Sequence, residues 1–88
     1  MGEILRLIEA RPKSEQLGFL ALVCLAMREN TTIQHQQDEW SFEDVPSEIV
    51  IMADALEDYE QLALVTMISS EIAETDTDEL REHNLNAQ

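Results

Sequence analysis

A single cysteine, Cys24, excludes an intrachain disulfide framework. Two glycines and two prolines leave long stretches without a backbone breaker, which favours helices over sheets. Gly2 and Gly18 are also too few and too far apart to build a phosphate-cradling loop. There are only four aromatic residues, and Lys and Arg together number five. No basic stripe for nucleic acid can be assembled from five cations spread over 88 residues. The longest apolar run, Leu17 to Met27, covers about 16 Å as a helix, roughly half a bilayer's hydrocarbon core. It does not span a membrane. Nor does a basic leader precede it, since Glu3, Glu9 and Glu15 balance Arg6, Arg11 and Lys13. The expected location is cytoplasmic, where a lone thiol stays reduced.

That run, LGFLALVCLAM, is the organising element. Leu, Ala and Met dominate it and are strong helix formers. Ser14 is placed to cap it, Glu15 suits the positive end of the helix dipole, and Arg28 the negative end. The spacing predicts a helix over about 14–30. Being apolar all round, it is expected to be buried all round, with Cys24 an inert buried thiol. The fold class that follows is all-α: a compact bundle of four to five short helices around a buried central helix.

The remaining segments are read as the wrapping. Gly2 to Ala10 is a short helix with Ile4, Leu5 and Ile8 as its apolar stripe, ended by Pro12. Residues 31–46 lack a period. They are expected to form a long connection anchored by Trp40 and Phe42. Pro46 and Ser47 open the next helical stretch. At about 100° per residue, Ile49, Met52, Ala53, Leu56 and Tyr59 share one face. Val65, Ile68 and Ile72 fall on the other side. A stripe that jumps across its helix implies a break near Glu57 to Tyr59, giving helices at about 47–57 and 59–74. The competing reading is one continuous helix with its second stripe against another subunit. A last short helix is capped at Thr75 or Asp76, and the single domain spans 1–83 with a disordered tail over 84–88. Glu15-Gln16-Leu17 recurs as Glu60-Gln61-Leu62, each opening an apolar helix. Three identities suit chance better than duplication.

The net charge of −14 is lopsided. Residues 1–37 sum to zero, so the whole excess lies in residues 38–88, whose only base is Arg81. Such a field repels nucleic acid and attracts basic surfaces. Glu43, Asp44, Glu48, Asp54, Glu57, Asp58 and Glu60 are expected to form an acidic ridge at the break, docking a basic protein partner. The function expected is a non-catalytic regulatory protein: an inhibitor, an antitoxin-like neutraliser or a nucleic-acid mimic. The alternative is a structural or assembly subunit. A chain this small gains from self-association, and a homodimer is expected. Its oligomer interface would use Leu62, Val65, Ile68 and Ile72.

No enzyme is expected. His35 and His83 lie far from Cys24 in sequence, and no nucleophile and base converge. Glu74, Asp76, Asp78 and Glu79 lack the glycine turn of a calcium loop. His35, Asp38 and Glu39 have no CxxC or HExxH beside them. No cofactor, metal, membrane or nucleic-acid contact is expected.

Overall fold

The computed structural model describes residues 2–42 and 44–87, with side chains described through residue 74. The described residues form five helices and no strand: α1 (Gly2–Glu9), α2 (Lys13–Glu29), α3 (Ile33–Trp40), α4 (Ser47–Asp54) and α5 (Asp58–Ala87). The all-α bundle is thus what the sequence implies, and α1 and α2 fall within a residue or so of their expected bounds. The arrangement differs. α2 packs on α3 and α5, α3 on α4, α4 on α1, and α1 on α5. Those pairings close a ring of five staves with no axle. α2 is therefore not central, and only one face of it is buried.

Each stave shows the ring its own stripe. α1 turns in Ile4 and Ile8, and α2 turns in Phe19, Leu22, Val23 and Ala26 at the i, i+3, i+4, i+7 spacing of one helix face. Ile33, Ile49, Val50, Ala53, Leu64 and Ile68 complete the core with Val45 from the α3–α4 link. The other half of the apolar run, including Leu17 and Cys24, faces out. Helix propensity and burial are separate requirements. The run meets the first all round and the second on one side.

Residues 31–46 hold a helix that the sequence reading missed. Thr32 caps α3, its hydroxyl accepting from the His35 N–H. The Asp54 carboxylate, at the end of α4, accepts from the next two free donors, Ile33 N–H at 2.7 Å and Gln34 N–H at 3.1 Å. The inward face of α3 is Ile33, Gln36 and Gln37. Its period is helical once two glutamines are counted as interior. Phe42 anchors the link as expected, but Trp40 points into solvent.

The break between the last two helices is present at 55–57, slightly ahead of the expected place. The continuous-helix reading is overturned, and the apolar stripe jumps because α4 and α5 are different staves. Ser14 lies inside α2 rather than at its cap, which Pro12 occupies. α5 passes through Thr75 and Asp76 as one helix, so the separate last helix is not formed. The tail expected over 84–88 ends on Gln88, outside the described residues.

Two positions carry a misplaced glycine preference. Gly18 is buried inside α2, and a Cβ there would meet the Phe42 ring and Val45 at 3.5 Å, ordinary contact. Ser41 ends α3 in the left-handed region, φ 55°, where glycine is favoured. Gly18→Ala and Ser41→Gly should each stabilise by about 0.5–1 kcal/mol in urea unfolding, while Asp54→Ala should cost about 1–2 kcal/mol.

Candidate interaction surface

The expected acidic ridge divides on inspection. Asp54 is half-buried and spent on the first turn of α3. Glu60 accepts from the Glu57 N–H at 3.0 Å, one arm of a capping box opening α5. These two carboxylates serve the fold. Asp44, Glu48, Glu57 and Asp58 are exposed, and Glu43 lies outside the described residues. The sequence reading left Asp38 and Glu39, exposed on α3, out of the ridge. Once 31–46 is taken as a loop, nothing signals that they share a wall with Glu48.

The wall is built by the outward faces of α3 and α4, which pack together. Between Arg28 and Arg81 the chain has no Lys or Arg, so every charge on this wall is negative unless His35 is protonated. His35 sits 3.5 Å from Glu39. Two large apolar side chains are exposed on these helices: Trp40, 58% exposed, at the end of α3, and Ile51, 64% exposed, on α4. Tyr59 is exposed just past the α4–α5 corner.

Trp40 is exposed but held. Its indole N–H donates to Gln36 Oε1 at 3.1 Å. Gln36 is fully buried, and its amide donates to Glu29 at 2.9 Å and the Thr31 hydroxyl at 3.0 Å. One interior glutamine thus ties the indole edge to the end of α2. The ring is held in place without being covered, so less rotamer entropy is lost when something docks on it.

Beside Asp38 lies a depression of about 360 Å³ between α3 and the α3–α4 link. Gln34, Asp38 and Ser47 give it polar sides, and Phe42, Val45 and Pro46 contribute apolar surface. Gln34 donates to Asp38 at 3.2 Å, holding the carboxylate at the rim. A smaller depression of about 220 Å³ lies across the bundle, lined by Glu9, Lys13, Gln16, Glu71 and Ile72. There the Glu9 carboxylate, by hydrogen bonding and like charge, raises the pKa of Glu71. Arg11 and Glu15 nearby form a bidentate pair at 2.7 and 3.0 Å. The pairing raises the guanidinium pKa and lowers the carboxyl pKa. It is exposed and adds little stability.

The expected oligomer stripe does not stand as one surface. Ile68 is fully buried in the core, Val65 and Ile72 pack against that core, and Leu62 alone is exposed. Among the described residues no cluster of three or more His, Cys, Asp or Glu side chains is placed to hold a metal ion. No described helix is long and apolar enough to cross a membrane. Comparison with family models, curated proteins and solved structures gives no match to this chain.

Ile68→Asp should abolish cooperative unfolding by circular dichroism, because it charges the core rather than an interface. For Glu71 the sign is that of a raised acid. The folded chain keeps the proton to higher pH than the unfolded chain, so stability falls as pH climbs out of the carboxylate range. Glu71→Gln should therefore raise the melting temperature more near pH 7 than near pH 4.

Proposed function

We propose that the protein is a non-catalytic binding module whose α3–α4 wall docks a basic, amphipathic segment of another protein. The observation that carries this reading is the pairing of unpaired charge with exposed anchors. Asp38 and Trp40 are exposed on α3, Glu48 and Ile51 on α4 and Asp44 on the link between them, and no described ion pair satisfies any of these three acids. Interfaces concentrate their energy in a few aromatic or aliphatic anchors and draw specificity and speed from the charges around them. The depression beside Asp38 has the chemistry of a lysine or arginine receptor: apolar surface for the stem, a carboxylate at the rim for the head. Neutralising such a partner is the work of an inhibitor, an antitoxin-like protein or a nucleic-acid mimic.

Trp40 is the chain's single tryptophan, so its emission reports the wall directly. The probe is a synthetic helix of leucine and lysine, with a leucine–glutamate helix as its control. The cationic helix should bind, shift Trp40 emission to shorter wavelength, and weaken about tenfold or more as salt rises from about 0.05 to 0.5 M. Trp40→Ala and Ile51→Asp should each weaken it by about tenfold, measured by calorimetry. Equal affinity for the anionic helix, indifference to salt, or unshifted emission would overturn the reading.

A further inference from the structure

The chain's two longest charge-free stretches are 16–27 and 61–70. Burial explains half of each. Phe19, Leu22, Val23 and Ala26 of the first, and Gln61, Leu64 and Ile68 of the second, turn inward. The other half of each faces solvent and is still uncharged. On α2 the outward residues Leu17, Ala21 and Cys24 recur at intervals of four and three. On α5, Tyr59, Leu62, Thr66, Ser69 and Ala73 are outward and alternate three and four. This is the spacing with which helices pair at shallow angles in bundles.

The two stripes are neighbours. α2 and α5 pack on each other. Gly18 fixes one flank of α2 against Phe42 and Val45, and Gln16 shares a depression with Glu71 and Ile72, which puts the other flank against α5. Leu17 is 47% exposed and Leu62 54% exposed on the surface that results. The hydroxyls of Thr66 and Ser69 donate back to the carbonyls of Leu62 and Thr66 at 3.0 and 3.2 Å. Their protons are thereby used within α5, and the face turned outward is largely carbon.

We propose that this two-helix face joins two copies of the chain, α2 and α5 of one laid on α2 and α5 of the other about a two-fold axis. Charge selects the occupant. Two molecules of net charge −14 repel wherever carboxylates meet, and neither stripe carries a carboxylate. A basic partner has no counter-charge to find here, whereas a second copy matches apolar with apolar. A two-fold contact is self-complementary, as one uncharged face on itself must be. The size fits as well. α2 is about 25 Å long and two helices side by side about 20 Å wide, giving roughly 500 Å² per copy and about 1,000 Å² in all. That is the lower bound of a specific interface, so the dimer should be a micromolar one.

This face is separate from the α3–α4 wall, and salt distinguishes the two. Screening relieves repulsion between two acidic copies, so the dimer should tighten as salt rises, opposite to the response of the wall. Cys24 lies in the stripe and is the only thiol, so its alkylation rate reads occupancy on the unaltered chain. Sedimentation velocity of the full chain from about 1 to 200 µM should show monomer converting to dimer. Alkylation should slow about fivefold or more over the same range as the interface fills. Ala21→Glu and Leu62→Glu should each shift the dissociation constant up about tenfold or more without loss of helicity, while Glu48→Lys, which lowers the net repulsion, does not weaken the dimer. A monomer throughout with concentration-independent alkylation overturns the proposal. So does a dimer unaffected by Ala21→Glu and Leu62→Glu, which would place the contact elsewhere. Should either variant unfold, the alkylation profile of the unaltered chain still decides.

Discussion

Five helices in a ring create more chain ends than their small core can hold together by apolar contact alone. Every helix leaves donors at one end and acceptors at the other, and a tight corner has little room for water to satisfy them. Here side-chain amides, the Thr32 hydroxyl and two carboxylates, Asp54 and Glu60, do so. Gln16 donates to the carbonyl of Arg11 at 2.8 Å, and more distantly to that of Glu9, at the α1–α2 corner. Gln37 donates to the carbonyls of Phe42 and Val45 at 2.9 and 2.8 Å along the α3–α4 link. Gln61 donates to the carbonyl of Ala53 at 2.8 Å at the α4–α5 corner. Asp54 closes the α3 end. Among described residues no buried side-chain nitrogen or oxygen is left without a partner. Consecutive helices α1 and α2, like α4 and α5, are not among the well-packed pairs. At those two corners a glutamine brace is a local tie, beside the Arg11–Glu15 pair at one and the Glu60 cap at the other, and burial acts mainly through the far side of the ring.

The same geometry divides the outside. In a ring each stave has an inner and an outer face, so whatever the core does not need is displayed. α3 and α4 display acids together with Trp40 and Ile51, and α2 over 17–24 with α5 over 62–69 displays an uncharged surface. Cations could have been interleaved with the acids, and charges could have been set between Leu17 and Cys24 on the outer face of α2, at little cost to stability, since exposed substitutions seldom exceed about 0.5 kcal/mol. Neither was done. Solubility explains a surplus of negative charge, but not why Trp40 and Ile51 are left bare on the same helices.

The legible parts of the fold were those written in apolar period. α1, α2 and the break before α5 follow from Ile4, Ile8, the run 17–27 and the shift from Ile49 to Val65. α3 was not legible because its buried face is one isoleucine and two glutamines. A polar residue inside the fold looks the same in sequence as one outside it, and only its partners tell them apart. For the same reason Asp54 and Glu60 read as surface charge when they are helix caps. Trp40 read as an anchor because large rings are usually covered, yet its N–H is satisfied by Gln36 with the ring still bare. The axle that became a stave is the deepest error. An apolar run states that burial is allowed on every side, not that neighbours exist to provide it. The recurrence of Glu-Gln-Leu, though best read as chance, falls on the two braced corners. Its glutamines, Gln16 and Gln61, do the same job in both.

Two docking faces on one small ring are physically compatible because they lie on different staves. α2 packs well on α3 but not on α4, so a copy laid on α2 and α5 leaves the outward side of α4 open. A dimer built that way carries two acidic walls related by its two-fold axis. A basic partner with two matching segments would then gain from effective concentration rather than from any new contact. It would also supply the counter-charge that two −14 copies lack, so occupying the walls removes part of the repulsion opposing the dimer. Linkage makes that effect reciprocal: whatever the partner adds to dimer stability, the dimer returns as affinity for the partner. The acidic surplus thus has a consequence beyond recognition, since it holds free copies apart and lets a cationic ligand bring them together.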